Sequence, residues 1–254
     1  MLLSELKNSN ILVTGASQGI GKAIATLLMQ NGATVAVHCH RNVSEANNLV
    51  AAFPGTGSSV FQADLADSTE TVELWQQVVR VFGRIDTVVL NAGIFEEHDP
   101  DNPTEDWLTV WKKTMAVNLD AAGLLTKLGI HHFKEQGGGR FIYMASRAAF
   151  RGETEEYMAY AASKGGLVSL GRTVARSFGK YNIKSFILAP GFVRTNMAEQ
   201  FISAYGKERI MEELAIQELT VPGDVAPLVA LMCSGLMDHA TGATIDLNAG
   251  SHIR

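Results

Sequence analysis

The stretch ILVTGASQGIG, residues 11–21, decides the fold of this chain. It begins as a short apolar run, which is typical of a buried strand, and continues through three glycines into a segment with helical periodicity. Glycines at such a corner let the backbone approach a pyrophosphate, whose charge meets the free N–H groups of the helix N-terminus. The corner therefore predicts a dinucleotide site made by Gly15, Ser17, Gln18, Gly19, Ile20 and Gly21.

The strand-then-helix pattern of this corner repeats along the chain. Apolar residues recur at helical spacing as far as Leu28, and Gly32 ends that helix. Short, nearly continuous apolar runs then alternate with further helical segments, as in a parallel sheet whose two faces are both covered. We predict an α/β fold, a doubly wound and mostly parallel seven-stranded sheet with helices on both faces. The strands are expected at 11–13, 34–37, 59–61, 87–90, 140–144, 184–188 and 243–247, and further helices near 68–82, 104–134, 158–180, 198–217 and 223–234.

The composition narrows the classes of function. Of 254 residues, 46% are hydrophobic and 19% charged, and the net charge of −5 argues against nucleic acid or an anionic membrane as the main partner. No apolar run approaches the roughly 20 residues of a membrane span, and no signal peptide is recognisable. Two cysteines offer no metal-type pairing. Without a linker or repeat, residues 1–254 are expected to form one domain of a cytoplasmic protein.

Three further predicted strands end in residues suited to a ligand. Because the carboxyl ends of parallel strands meet at one edge of an open α/β sheet, where ligands bind, these residues should line one crevice. The Asp64 carboxylate can accept a hydrogen bond there from an adenine amino group. The predicted lining residues are Asp64 and Leu65 after the third strand, Asn91, Ala92 and Gly93 after the fourth, and Pro190, Gly191 and Thr195 after the sixth.

The end of the second strand bears on the choice of coenzyme. A carboxylate there would bind a ribose 2′-hydroxyl and repel a 2′-phosphate, but VHCHRN at 37–42 has none, and Arg41 is placed to meet a phosphate. We therefore predict NADP(H) over NAD(H). His38 and His40 share one strand face, but no third ligand accompanies them, so no metal site is predicted.

The stretch EYMAYAASKGG, residues 156–166, holds two tyrosines and one lysine. Residues four apart share a helix face, so Lys164 lies under Tyr160, whereas Tyr157 has Ala161 at that position. A tyrosine titrates near pH ~10 in water and is a poor acid or base at neutral pH. A neighbouring ammonium and the charge of an oxidised nicotinamide would favour the phenolate and lower this pKa. The pair predicts a proton donor and acceptor beside a hydride carrier.

At this point the whole chain resembles the single-domain members of the short-chain dehydrogenase/reductase family. The resemblance rests on motifs in the family's order: TGASQGIG at 14–21, NAG at 91–93, Asn118, Ser146, YAASK at 160–164 and PGFVRT at 190–195. It implies a Rossmann-type fold and an oxidoreductase that transfers hydride between NAD(P) and a carbonyl or alcohol.

The resemblance also implies roles for individual residues. Tyr160 would be the general acid/base, and Ser146 would hydrogen-bond the substrate carbonyl. Lys164 would hold the nicotinamide ribose, and Asn118 would interrupt a long helix and anchor a water that relays protons to Lys164. Val193 and Thr195 would meet the nicotinamide carboxamide, and the chain would form a homotetramer.

The substrate remains open among several small carbonyl compounds or alcohols. The chain looks most like 3-oxoacyl-(acyl-carrier-protein) reductases, which makes a 3-oxoacyl thioester the leading candidate. Sugar, polyol and steroid substrates stay as alternatives, because an acidic rim would repel an acidic carrier protein. That rim consists of Glu96, Glu97, Asp99, Asp101, Glu153, Glu155 and Glu156, offset in part by Arg147, Arg151 and Arg194.

Two further alternatives concern the role of the segment 196–217 and the class of function. The segment 196–217 is expected to be a substrate lid, although its apolar stripe also suits an ordinary surface helix. A non-catalytic dinucleotide sensor is the alternative to an enzyme, because a fold does not by itself imply a function. Tyr160 and its neighbours argue against a sensor, which has no need of an acid.

Overall fold

The computed structural model describes residues 6–195 and 207–254 of the chain. Its strands are β1 (Asn10–Val13), β2 (Thr34–Cys39), β3 (Ser59–Gln62), β4 (Thr87–Leu90), β5 (Gly139–Met144), β6 (Ile183–Pro190) and β7 (Thr244–Leu247). All of them are parallel and form one sheet in the order β3-β2-β1-β4-β5-β6-β7. The predicted doubly wound parallel sheet is confirmed.

Helices cover both faces of this sheet. They are α1 (Gly19–Gln30), α2 (Val43–Ala51), α3 (Ser68–Phe82), α4 (Thr104–Met115), α5 (Ala121–Gln136), α6 (Ala148–Arg151), α7 (Met158–Phe178), α8 (Lys207–Glu212) and α9 (Pro222–Cys233). None of the helices in the described ranges is long and apolar enough to cross a membrane.

The core is divided into two layers by the alternation of side chains along each strand. In β1, Ile11 and Val13 pack with α1, α2 and α9, whereas Leu12 faces the opposite side, against α3, α5 and α7. Since successive residues of a strand point to opposite faces, an uninterrupted apolar run supplies both layers at once. This is why the strands are apolar throughout.

The structure confirms one expected interruption and corrects one expected helix. The helix predicted over 104–134 is interrupted at Asn118, as the family resemblance implies, and the interruption is a π-helical turn, Ala116–Asp120. The helix predicted over 198–217 ends at Glu212, because the backbone N–H groups of Ala215 and Ile216 donate instead to the Ala249 carbonyl, at 2.9 and 3.1 Å. Residues 196–206 of the predicted lid lie outside the described residues.

Candidate active site

A cleft of about 550 Å³ lies at the carboxyl ends of the central strands. Every residue predicted to bind the coenzyme contributes to its lining, and so does Ser146; Asn118 lies behind it. Parallel strands bring these distant positions together because all of their carboxyl ends meet at the same sheet edge. The lining residues predicted from the sequence are Gly15, Ser17, Gln18, Gly19, Ile20, Gly21, Arg41, Asp64, Leu65, Asn91, Ala92, Gly93, Ser146, Tyr160, Lys164, Pro190, Gly191, Val193 and Thr195.

The corner between β1 and α1 is folded so tightly that its glycine positions do not suit a side chain. Gly15 and Gly19 have φ angles of 65° and 54°, which favour glycine. A Cβ on Gly21 would collide with the Gly15 carbonyl oxygen and lie 2.6 Å from Asn91 Nδ2. Asn91 Nδ2 itself donates to the carbonyl oxygens of Thr14 and Gly15, at 2.9 and 3.2 Å. The corner therefore presents bare backbone at a helix N-terminus, which fits a pyrophosphate.

His38 braces this corner from β2. Its Nδ1 accepts a hydrogen bond from the Gly15 N–H at 3.0 Å, and its Nε2 lies 3.1 Å from the Ala63 carbonyl oxygen, to which it donates in the neutral form. Burial lowers the pKa of His38 to about 4. The sequence suggests a metal ligand as the only role for His38, since neither of its hydrogen-bond partners is near it in sequence. No group of three or more His, Cys, Asp or Glu side chains in the described parts of the chain could hold a metal.

Polar residues gather where β2 ends at the mouth of the cleft. Arg41 is exposed there beside His40 and Asn42, which also line the cleft. Asn42 Nδ2 donates to Gln18 Oε1 at 3.1 Å, which ties this end of β2 to the glycine corner. The Asp64 carboxylate lies 3.5 Å from His40 Nε2, so the acid at this end of the cleft comes from beyond β3. A phosphate held by Arg41 would meet no carboxylate from the end of β2.

The opposite wall carries the side chains suited to proton transfer. Tyr160 and Lys164 lie one turn apart on α7, with Lys164 Nζ 5.6 Å from the centroid of the Tyr160 ring. Lys164 is buried, and its Nζ donates to the Met144 carbonyl at 2.8 Å. Ser146, which follows β5, lines the cleft with Tyr160, and its hydroxyl is near enough to act on the pKa of the Tyr160 hydroxyl. A substrate oxygen placed at this hydroxyl pair would find a proton donor and a second hydrogen-bond donor.

The predicted lowering of the Tyr160 pKa is wrong for the protein groups alone. Burial raises the pKa of Tyr160 to about 12, and this outweighs the hydrogen bond from Ser146, which acts in the opposite direction. Burial also lowers the pKa of Lys164 to about 8. The prediction rests on the Lys164 ammonium and the charge of an oxidised nicotinamide, whereas among the protein groups the loss of hydration on burial is the largest effect.

The two tyrosines of the EYMAYAASKGG stretch have different surroundings. Tyr157 is buried outside the cleft lining, where its ring stacks on Phe95 at 3.8 Å and its hydroxyl donates to Glu97 Oε1 at 2.7 Å. Tyr160 contacts Phe95 only edge-on, at 4.7 Å, and its side chain lines the cleft. Helical spacing alone therefore selected the tyrosine that faces the cleft.

Asn118 supports the catalytic wall from behind. Its Oδ1 accepts from the Ile94 N–H at 2.7 Å, and its Nδ2 donates to the Ile94 carbonyl at 3.0 Å and to Ser163 Oγ at 3.1 Å. Its side chain thus joins the segment after β4 to the helix that carries Tyr160 and Lys164. The expected water relay to Lys164 stays a prediction.

Two of the seven acids of the rim expected around the cleft are paired with cations. Lys113 of α4 lies 2.6 Å from Glu96, and Arg151 lies 3.1 Å from Glu153. Glu97 accepts the Tyr157 hydroxyl, as described above. The sequence does not predict Lys113 as the partner of Glu96, because the two lie seventeen residues apart. The rim is therefore less repulsive to an anionic group than its composition indicated.

Known proteins resemble this chain over nearly all of its length. Residues 9–206 match the family profile described as short chain dehydrogenase. Human dehydrogenase/reductase SDR family member 4 is 33% identical over 98% of this chain and 89% of its own length. Human (3R)-3-hydroxyacyl-CoA dehydrogenase is 32% identical, with 98% and 97% covered. L-rhamnose 1-dehydrogenase (NAD(P)(+)) of Azotobacter vinelandii is 33% identical, with 96% and 97% covered.

The fold has a similarly clear counterpart among solved structures. A short chain dehydrogenase from Burkholderia cenocepacia J2315, in complex with NADP, superposes with a TM-score of 0.88. It is 30% identical, and the match covers 97% of this chain and 99% of that one.

Proposed function

Because the chain belongs to the short-chain dehydrogenase/reductase family and is an oxidoreductase of CH–OH or carbonyl substrates, we propose that Tyr160 is its general acid/base and NADP(H) its coenzyme. The observation that carries the proposal is the position of Tyr160 in the cleft. Its hydroxyl lies near Ser146, in the same cleft that the glycine corner lines.

The proton chemistry follows from the side chains of the catalytic wall. When bound, a nicotinamide coenzyme supplies the hydride and, in its oxidised form, a positive charge. In the reducing direction Tyr160 gives its proton to the substrate oxygen while Ser146 donates a hydrogen bond to the same atom. Lys164, with a pKa of about 8, can carry the charge that stabilises the resulting phenolate. In the oxidising direction the same groups accept the proton.

The preference for NADP(H) is supported by the mouth of the cleft. Arg41 is exposed beside the glycine corner, and the end of β2 contributes no carboxylate. A guanidinium binds phosphate through two parallel hydrogen bonds, so Arg41 would favour a 2′-phosphate over a 2′-hydroxyl. The similarity to a structure in complex with NADP points in the same direction.

A 3-oxoacyl thioester is the substrate that we favour. The human relative named (3R)-3-hydroxyacyl-CoA dehydrogenase supports this class, and the ion pairs of Glu96 and Glu153 weaken the objection from an acidic rim. Relatives named L-rhamnose 1-dehydrogenase and cyclohexanol dehydrogenase keep sugars and alicyclic alcohols as the alternative.

The test is a panel of carbonyl substrates assayed with both nucleotides. Loss of NADPH absorbance is followed with a 3-oxoacyl-CoA, an aldonolactone and cyclohexanone, and each assay is repeated with NADH. We expect the highest kcat/KM with the thioester and NADPH. Tight binding of NADPH without turnover of any substrate, including a broader set of ketones and alcohols, would instead favour the dinucleotide sensor.

A homotetramer remains part of the proposal. The C-terminal segment folds back onto the protein, where Arg254 pairs with Asp246 at 2.9 Å and lies 3.6 Å over the Phe150 ring. Ile253 stays 84% exposed, as expected for a residue that a second copy could cover. Light scattering should give four times the mass of the 254-residue chain, and a monomeric mass would refute this part of the proposal.

A further inference from the structure

His98 holds the start of the helix that carries Tyr160, although it is not part of the cleft lining. Its Nε2 accepts the Ala159 N–H at 2.9 Å, and Ala159 directly precedes Tyr160. The first N–H groups of a helix have no partner within the helix. Tyr157, which precedes α7, supplies no side-chain capping bond. His98 therefore acts as the cap, from 61 residues away in the sequence.

The imidazole of His98 is fixed on several sides. Its backbone N–H donates to the Glu156 carbonyl at 2.9 Å, and its side chain is buried. The ring packs edge-on against Trp107 of α4, at 5.2 Å, and near Trp111, at 6.3 Å. Because this ring contacts both α4 and the first turn of α7, a displacement of α4 would move that turn.

The short segment that carries His98 makes a series of contacts with the same turn. Ile94 is held through both of its backbone groups by Asn118, as described above. Phe95 then contacts the rings of Tyr157 and Tyr160, and Glu97 accepts the Tyr157 hydroxyl. His98 completes the series with a hydrogen bond to the helix backbone itself. The ring contacts orient the Tyr160 side chain, whereas this hydrogen bond determines where α7 begins.

We propose that His98 is a positioning residue: its neutral imidazole fixes the first turn of α7 and thereby the reach of the Tyr160 hydroxyl toward Ser146. The inference deepens the proposed function, because it rests on Tyr160 being the general acid/base. Small displacements of a proton donor reduce turnover strongly even where binding is preserved.

The protonation state of His98 decides whether the cap exists. A ring that accepts at Nε2 carries its proton on Nδ1, and a doubly protonated ring would direct a second N–H at the Ala159 N–H. Burial lowers the pKa of His98, so the neutral form prevails at neutral pH. The carboxylates nearest to it in the chain are Glu97 and Asp99, and Glu156 contacts it through a backbone carbonyl, while α4 presents the uncharged rings of Trp107 and Trp111. The cap is lost as the pH falls through the lowered pKa, below 6.5.

The test compares His98→Leu, which cannot accept a hydrogen bond, with His98→Gln, whose amide oxygen can. We expect His98→Leu to lower kcat by about 10-fold, the scale of a lost cap, with the NADPH dissociation constant unchanged. His98→Gln should restore most of kcat. In the wild type, kcat should decrease as the pH falls through the lowered pKa of His98. This acid limb of the pH profile should be absent from His98→Gln, because an amide does not titrate in that range.

His132 provides the matched control. Its Nε2 also accepts a backbone N–H, from Ile85 at 3.1 Å, its ring also packs edge-on to a tryptophan, Trp75, and burial also lowers its pKa. It does not line the cleft. His132→Leu should lower the melting temperature without changing kcat or its pH profile.

The outcomes separate this inference from the proposed function. If Tyr160→Phe keeps wild-type turnover, Tyr160 is not the general acid/base, and the inference about His98, which depends on that role, fails as well. If Tyr160→Phe is inactive while His98→Leu keeps kcat within twofold of the wild type, only the inference fails. Equal kcat losses in His98→Leu and His98→Gln, or an unchanged acid limb in His98→Gln, would also overturn it. Should His98→Leu not fold, the pH profile of His98→Gln decides alone.

Discussion

One wall of the cleft is built from backbone and the other from side chains. The coenzyme wall is mainly the glycine corner at 14–21, a contiguous stretch in which Gly21 has no room for a side chain. The catalytic wall brings Ser146, Tyr160 and Lys164 together from two elements, and Asn118 and His98 support it from two more. Changes on the first wall should therefore alter nucleotide affinity, and changes on the second should alter turnover.

The largest effect is expected from Tyr160 on the catalytic wall, with Tyr157 as its control. Tyr160→Phe should lower kcat by at least ~100-fold, the scale of a lost general acid, with NADPH affinity retained. Tyr157→Phe, which loses a hydroxyl bonded to Glu97 outside the cleft lining, should keep kcat within a few-fold of the wild type. Steady-state kinetics and nucleotide titration on both variants check this. A larger kcat loss in Tyr157→Phe would show that the wrong tyrosine was chosen.

The second largest effect is expected from a substitution in the coenzyme wall. Gly21→Ala would place a methyl group against the Gly15 carbonyl and Asn91 Nδ2, and overpacking of this kind costs roughly 1–3 kcal/mol. We expect NADPH binding to weaken by ~10-fold or more while kcat at saturation changes less. Gly123→Ala in α5, where an added Cβ meets no atom within 4 Å, is the control and should bind normally. If kcat alone fell in Gly21→Ala, the division between the walls would be wrong.

A smaller effect should distinguish the two nucleotides. Arg41→Ala is expected to weaken NADPH by about 10-fold, the scale of a lost charged hydrogen bond, and to leave NADH nearly unchanged. Lys22→Ala removes an equal charge from α1, where Lys22 pairs with Glu45, and should not alter the preference. Isothermal titration calorimetry of each variant with NADPH and with NADH measures the two dissociation constants. Equal losses for NADPH and NADH would show that Arg41 does not contact a 2′-phosphate.

The smallest effect concerns stability on the coenzyme wall. The pKa of His38 falls from 6.5 to about 4 on folding, so the unfolded chain binds more protons between these values. Its contribution is present above pH 6.5 and is lost as the pH falls toward 4. Relative to His38→Gln, the wild type should lose roughly 1 kcal/mol of unfolding free energy between pH 7 and 5.5. Parallel losses in urea denaturation of both proteins would contradict this.

The difference between the walls also explains what could be predicted. The glycine corner and the Tyr160–Lys164 pair are local patterns, so spacing alone locates them. His38 and His98 accept backbone N–H groups from Gly15 and Ala159, which lie 23 and 61 residues away. No local pattern marks such a histidine, and both were missed as supports of the site. The partners of the rim acids, such as Lys113 for Glu96, were missed for the same reason.

The sequence by itself determined the parallel sheet, the corner that suits a pyrophosphate and the tyrosine that faces the cleft. These depend on periodicity and on glycine, which act over a few residues. Only the tertiary structure decided the π-helical form of the interruption at Asn118, the histidine supports and the direction in which burial shifts the Tyr160 pKa. Desolvation and long-range hydrogen bonds depend on which atoms surround a group in space, and distant segments of the chain supply those atoms.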